Sequence, residues 1–221
     1  MMDTQKHKVI INDKPIEYNY CNWGPFVMKT TVDDNIVEKL IKEGRKQYQN
    51  VSDTLAGQIK NQYTFNDEFI NWFYTETAPI FSAYREAHSV YHNQKAIKVA
   101  LQSESLWINF MKAGEFNPPH IHSGDISFVI FCDVPYELEK EANEFIGTAT
   151  KPGQLVLDYG ESSPVEWTTH QYLFTPQTSD MYIFPAMLRH WVSPFTSNVE
   201  RISVSGNLKI ANRHEFPPGR F

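Results

Sequence analysis

The apolar residues of this chain change period part-way along it. Between residues 33 and 48, DDNIVEKLIKEGRKQY sets Ile36, Val37, Leu40 and Ile41 at helical spacing. Asp33 or Asp34 stands where an N-cap belongs. Residues 66–92 form a second helical region, with Phe69, Ile70, Phe73, Ile80, Phe81 and Tyr84 on one broad apolar face. Pro79 lies inside it and, lacking an N–H, kinks or splits the helix there. Residues 26–32, FVMKTTV, read as a short strand. From residue 95 the segments shorten. AIKVALQ, SLWINFMKA, DISFVIFCDV, GQLVLDY, HQYLF, DMYIFP, HWVSPF and RISVSGNLKI are rich in β-branched and aromatic residues, with Gly, Pro, Asn, Asp or Ser between them. YELEKEANEFI at 136–146 is a polar insertion, helical or irregular. Many short strands with such turns predict a β-sandwich or barrel rather than alternating βαβ units. The expected fold is mostly β with N-terminal helices. Residues 1–94 form a helical support segment and residues 95–221 the core, together one globular unit.

Composition fits that picture. At 221 residues, 41% hydrophobic and 14% aromatic, the chain is long and apolar enough to bury a core. Its 20 basic and 26 acidic residues leave a net charge of −6, which argues against nucleic acid or an anionic membrane surface as a partner. No stretch approaches the roughly 20 apolar residues that span a bilayer. MMDTQKHKVIINDKP lacks the apolar core of a signal peptide. Cys21 and Cys132 are too few and too far apart for a disulfide framework. Cys132 reads as a small buried hydrophobe. A cytoplasmic location is the expectation.

The eight histidines carry unequal weight. His7 and His214 lie near the ends and read as surface residues. His88 and His92, four apart on a helix, can clip a metal, but with no acidic or cysteine partner in a recognisable pattern they read as a solvated face. His170 in TTHQYLF can face either side of a strand. His120 and His122, in FNPPHIHSGD, differ. Residues i and i+2 of a strand point to the same side, so both imidazoles can aim at one point. Pro118 and Pro119 stiffen the approach by fixing φ. Alone, His-x-His is a weak signal.

A second stretch strengthens it. MYIFPAMLRHWVSPFTSNVERISVSGNL carries His190 between two predicted strands. Along the last strand Arg201, Ser203, Ser205 and Asn207 share one face, and Ile202, Val204, Gly206 and Leu208 the other. Such a strand either shows its polar face to water or turns it into an interior, where the planar fork of Arg201 can grip a carboxylate. Asn109 shares a face with Trp107 in the strand before the histidines and is either a cosubstrate contact or a satisfied polar group of the sheet.

His-x-His, a distant His and Arg-x-Ser eleven residues beyond it (201 − 190 = 11) resemble the motif order of the Fe(II)- and 2-oxoglutarate-dependent oxygenases. LWINFMKAGEFNPPHIHSGDISFVIF and MYIFPAMLRHWVSPFTSNVERISVSGN are similar to a branch of that superfamily found in bacteria and viruses. The resemblance covers roughly residues 95–210. It implies a double-stranded β-helix, a jelly-roll or cupin-like barrel, and Fe(II), 2-oxoglutarate and dioxygen as cofactor and cosubstrates. It implies His120 and His190 as metal ligands, and Arg201 and Ser203 as the pair holding the far carboxylate of 2-oxoglutarate. The family's third ligand is a carboxylate two residues after the first histidine. His122 stands there instead. Either His122 completes a three-histidine site, as period-two geometry favours, or Asp125 is turned inward by a bulge at Gly124. The activity implied is hydroxylation of an unidentified small molecule or protein, in the host cytoplasm if the chain is viral.

Two other readings use the same residues. A cupin-type metalloenzyme would hold a metal on three histidines without 2-oxoglutarate, although the Glu it normally places about four residues after the second His is missing at Ile126 and Ser127. A non-enzymatic jelly-roll binding or structural protein would use the histidines only as polar pocket groups. For the first 94 residues, a substrate lid and a homodimer surface are the two uses left open.

Overall fold

The computed structural model describes residues 6–11, 13–19, 24–93, 99–160 and 170–211. Cys21, His214 and the start of AIKVALQ lie outside them, as does the side chain of His7. The chain opens with an antiparallel hairpin of β1 (Lys6–Ile11) and β2 (Lys14–Asn19). Then come β3 (Met28–Thr31), α1 (Asp34–Gly44), β4 (Gln49–Asn50), β5 (Gln62–Thr64), α2 (Asp67–Glu76) and α3 (Ala78–Tyr91). The remainder is β6 (Leu101–Lys112), β7 (Asn117–His120), β8 (Ile126–Asp133), α4 (Tyr136–Glu144), β9 (Leu155–Asp158), β10 (Gln171–Phe174), β11 (Asp180–Pro185), β12 (Arg189–Val192) and β13 (Glu200–Ile210).

Local chemistry accounts for the helix ends. The Asn66 side chain accepts the Phe69 N–H at 2.8 Å and caps α2. The long helical region breaks at Thr77, and Pro79 sits in the first turn of α3, where no intrahelical N–H is missed. Asp33 precedes α1 but makes no side-chain cap.

Period-two alternation decides the layering. The large sheet has the order β3-β11-β8-β13-β6-β5-β4. Leu106, Ile108, Phe110, Phe128, Ile130, Met181, Ile183, Ile202 and Val204 point to one side of it, where they pack with Leu40 of α1, Phe69 and Phe73 of α2 and Phe81 and Tyr84 of α3. Met111, Val129, Phe131, Tyr182 and Phe184 point to the other side, against Leu155, Leu157 and Val192 of the small sheet, ordered β10-β9-β12-β7. The result is three layers: helices, large sheet, small sheet. Among the described residues no helix is long and apolar enough to cross a membrane.

This corrects the expected fold. The double-stranded β-helix, a jelly-roll or cupin-like barrel, is not formed: among the described residues no ladder joins the two sheets and neither closes on itself. The reason lies at the edges. β3 pairs with β11, and β5 with β6, so the large sheet extends sideways to seven strands instead of curling into its partner. Nor are the helices only N-terminal, since α4 lies between β8 and β9. The protein is mixed α/β with several sheets.

One glycine is required by the packing of the large sheet. A Cβ at Gly206 would stand 2.6 Å from Cζ of buried Phe128 and 2.7 Å from the Ser105 carbonyl oxygen. Gly206→Ala is expected to destabilise by about 2 kcal/mol, as overpacking does, and to lower Tm by roughly 5 °C in a chain of this size. Thermal melts followed by circular dichroism check this; an unchanged Tm would contradict the close packing of β13 on β8.

Candidate metal centre

Among the described residues β7 lies at the edge of the small sheet and pairs only with β12. An edge strand tolerates prolines, because it need not donate on its outer side. That is how Pro118 and Pro119 lead directly into His120. His120 sits opposite His190 in the β7–β12 ladder, so the two imidazoles share a face. Just past β7, the His122 N–H donates to the Ala186 carbonyl at 2.9 Å and fixes the third ring. Ring centroids are 4.3 Å apart for His120–His190, 4.8 Å for His120–His122 and 5.0 Å for His122–His190. One nitrogen from each ring lies within 4.8 Å of the others.

The tautomers are set by the backbone. His120 Nδ1 is 2.6 Å from the Pro118 carbonyl oxygen, and His190 Nδ1 is 2.8 Å from that of Leu188. A carbonyl only accepts, so each Nδ1 carries the proton and each Nε2 keeps its lone pair for a metal. Burial lowers all three pKa values. It takes His122 down to about 4 and His190 down to about 3, with His120's charge lowering both further. For His120 the shift is also downward, opposed by its contacts with the Pro118 and His190 backbone. Neutral imidazoles are the form that binds metal.

Asp125 is not in this cluster. Gly124 turns the chain with a φ of 94°, and a Cβ there would meet a Glu104 carboxylate oxygen at 2.6 Å. The Asp125 carboxylate then accepts the Ile210 N–H at 2.7 Å, which ties it to the end of β13.

β13 turns its polar face inward, between the sheets. Arg201 is 3% exposed, Ser203 5% and Asn207 6%. Arg201 Nη1 donates to the Gly153 carbonyl at 2.9 Å, and Nη2 lies 2.8 Å from Met111 Sδ. The guanidinium carbon stands 5.2 Å from the Phe131 ring centroid and 6.0 Å from that of Phe195. Nε has no hydrogen-bond partner. No carboxylate of the described residues pairs with this cation. Burial pulls its pKa down to about 10, so it stays charged at neutral pH.

Between the arginine and the histidines lies a polar ladder. Asn109 Nδ2 donates to Ser203 Oγ at 3.2 Å, and Gln62 Nε2 donates to Asn109 Oδ1 at 2.7 Å. Trp107 pairs with Ser205 across β6 and β13, and its ring lies 5.7 Å from that of His122. Four strand residues, roughly 13 Å, therefore separate the Arg201 level from the Trp107 level.

His120, His122 and His190 thus come together, and Arg201, Ser203 and Asn109 share the interior face. Elsewhere, His88 on α3 and His92 just past its end lie with ring centroids 4.5 Å apart and tilted, both half-buried. His170 Nε2 lies 3.8 Å from Asp158, which also takes Arg189 at 2.8 Å. Gln62 and the Gly153 carbonyl were not anticipated. Both reach the site through pairings remote in sequence, and nothing local to NQYTF or KPGQ signals them.

The family model described as "Putative 2OG-Fe(II) oxygenase" matches residues 105–207, which hold the three histidines, Asn109, Arg201 and Ser203. Over that stretch, just under half of its length, the chain is similar to the 2OG-Fe(II) oxygenases. No curated protein matches it. Several solved structures share its fold. A Pseudomonas putida prolyl-4-hydroxylase aligns at 14% identity over 83% of this chain and 91% of its own, with a TM-score of 0.52. A Trichoplax adhaerens prolyl hydroxylase, solved with a hypoxia inducible factor peptide fragment, aligns at 10% identity over 87% of this chain and 86% of its own, TM-score 0.51. The non-heme alpha ketoglutarate dependent epimerase SnoN of nogalamycin biosynthesis aligns at 12% identity over 84% of this chain and 78% of its own, TM-score 0.53. At these identities the likeness is one of fold.

The lowered histidine pKa values set a pH dependence. Unfolded histidines take up protons below about pH 6.5, whereas the folded cluster resists protonation until about pH 4 for His122 and about 3 for His190. The stability they contribute in the metal-free protein is therefore complete above about pH 6.5 and is lost as pH falls toward those values. Urea midpoints measured from pH 7.5 to 4.5 should fall more steeply for the natural chain than for the His122→Gln, His190→Gln double variant; parallel curves would contradict the burial of these rings.

Proposed function

We propose that this chain is an Fe(II)- and 2-oxoglutarate-dependent oxygenase that hydroxylates a small molecule or protein. In this reading His120, His122 and His190 hold the metal, and Arg201 and Ser203 hold the far carboxylate of 2-oxoglutarate. The observation that carries it is the Arg201 guanidinium, buried with its Nε unpartnered and no carboxylate of the described residues beside it. A buried cation without a counter-ion is costly. An anion arriving on the free edge offsets that cost, and a carboxylate fits the fork geometry.

The donor set fits a first-row divalent metal: three neutral imidazoles, two of them presenting Nε2. It departs from two histidines and a carboxylate, and carries one negative charge fewer, so the metal is held less by charge. With both groups bound, 2-oxoglutarate is oxidised to succinate and carbon dioxide as dioxygen places a hydroxyl on the substrate. The chain's residues bind, orient and exclude water. Asn109 orients the Ser203 hydroxyl, and Gln62 in turn holds Asn109. Met111, Phe131 and Phe195 wall the guanidinium off from water, which strengthens its attraction for a carboxylate.

His190→Ala is expected to abolish both metal binding, read by calorimetry with Mn(II), and conversion of 2-oxoglutarate to succinate. Arg201→Ala should leave metal binding intact and weaken 2-oxoglutarate roughly 10–100-fold, the worth of a charge-assisted hydrogen-bond pair. Turnover surviving in His190→Ala would overturn the metal assignment. Equal loss of metal and cosubstrate in Arg201→Ala would overturn the carboxylate clamp. A metal-binding protein that consumes no 2-oxoglutarate would instead match the three-histidine metalloenzyme reading.

A further inference from the structure

A cleft of about 600 Å3 opens between β10 of the small sheet and the segment that leads into β3. Its lining includes Phe26 and Tyr91 from the helical side, Tyr172 and Phe174 from β10, and Leu157 and Leu188 beside the histidines. We infer that this cleft is the substrate pocket of the oxygenase proposed above and that it takes a small uncharged aromatic molecule. The role of substrate rests on that reading; the position and chemistry of the pocket do not.

Position comes from the ladder of the small sheet. Tyr172 pairs with Leu157, Leu157 with His190, and His190 with His120. Directly paired residues share a face, so these four side chains form one row across the sheet. Strands lie about 4.8 Å apart, which puts Leu157 one spacing from His190 and Tyr172 about 10 Å away. Leu188, on the same wall, gives its carbonyl to His190 Nδ1. A ligand resting on Leu157 and Leu188 therefore abuts the metal centre.

Chemistry comes from the lining. Phe26 packs on Tyr91 at 5.3 Å, and Tyr172 on Phe174 at 4.7 Å, so rings arrive from two different elements. Tyr172 is 64% exposed, an aromatic surface left uncovered beside an apolar wall. Gly24, at φ 115°, lets the Tyr159 ring approach within 3.4 Å of where a Cβ would stand, adding a further ring. The charges at the wall are already matched. Lys29 pairs with Asp180 at 2.9 Å, and Asp158, beside His170, pairs with Arg189 at 2.8 Å. Among the described residues no excess charge is offered to an ionic ligand. The volume lies within the range of small-molecule sites, roughly 300–1,000 Å3, and flat rings gain most from aromatic walls.

The test uses the full chain with methyl-labelled leucine and three probes: indole, benzoate and benzylamine. Indole should shift the Leu157 and Leu188 methyl resonances saturably and leave Leu40 in the helical layer unmoved. Benzoate and benzylamine should bind at least about tenfold more weakly. Tyr172→Ala, a change at an exposed ring, should weaken indole about tenfold, and Tyr172→Phe should restore it. With Mn(II) bound, as verified by electron paramagnetic resonance, the protons of bound indole should relax faster, and His190→Ala should remove that enhancement. No shift at Leu157, equal affinity in Tyr172→Ala, or bound Mn(II) without enhanced relaxation would each overturn the pocket. Absence of Mn(II) binding with the Leu157 shift intact would sink the metal reading while supporting the aromatic site.

Discussion

A guanidinium sealed between two sheets, with no carboxylate of the described residues beside it, constrains everything around it. Arg201 can be buried only because β13 lies in the middle of the large sheet, with β8 and β6 satisfying its backbone on both sides. The opposite face of that strand, Ile202, Val204 and Leu208, is covered by the helical layer. The apolar face therefore packs on helices, and the polar face has nowhere to go but the space between the sheets. A polar face there must be satisfied. Asn109, Ser203, Gln62, Asn207 and Ser127 meet that need by bonding among themselves, whereas Arg201 keeps an unpaired edge. Among the described residues this interior leaves a buried cation short of an anion, with Gln62 Oε1 also unpaired, and that suits the anionic ligand proposed for it.

The same economy shapes the histidines. Two backbone carbonyls, those of Pro118 and Leu188, do what a carboxylate often does for a metal-bound imidazole: they accept the hydrogen bond from Nδ1–H and aim Nε2. Burial keeps the rings neutral without help from an acid. The three-histidine cluster thus carries no negative charge of its own, and in the proposed reading the cosubstrate supplies the charge that balances metal and arginine.

Much of the local structure was legible from pattern. Pro79 marks the break between α2 and α3, and DMYIFP is β11 residue for residue. Period two placed Arg201, Ser203, Ser205 and Asn207 on one face, but alternation is symmetric and cannot say whether that face meets water or protein. Only the sheets on either side decide it. Barrel closure is hidden for a similar reason: β3, β4 and β5 are two to four residues long, and β3 pairs across most of the chain, Thr31 opposite Asp180 (180 − 31 = 149). At the site, His120 ends β7, whereas His122 falls just past the strand, where its N–H bond to the Ala186 carbonyl and not strand alternation fixes it; His190 came from the family resemblance. The alternative at Asp125 turned on a positive φ at Gly124 and a bond to Ile210, neither visible in a periodicity. Gln62 and the Gly153 carbonyl are contacts across the fold and left no mark on their own neighbourhoods.

The central claim is that one metal and one dicarboxylate share this interior. A crystal structure of the full chain grown without oxygen in Mn(II) and 2-oxoglutarate, with data collected at the manganese edge, tests it most directly. The account predicts a single anomalous peak in reach of His120, His122 and His190, with the far carboxylate of 2-oxoglutarate on the Nε edge of Arg201. A peak elsewhere, or a 2-oxoglutarate that ignores Arg201, would contradict it.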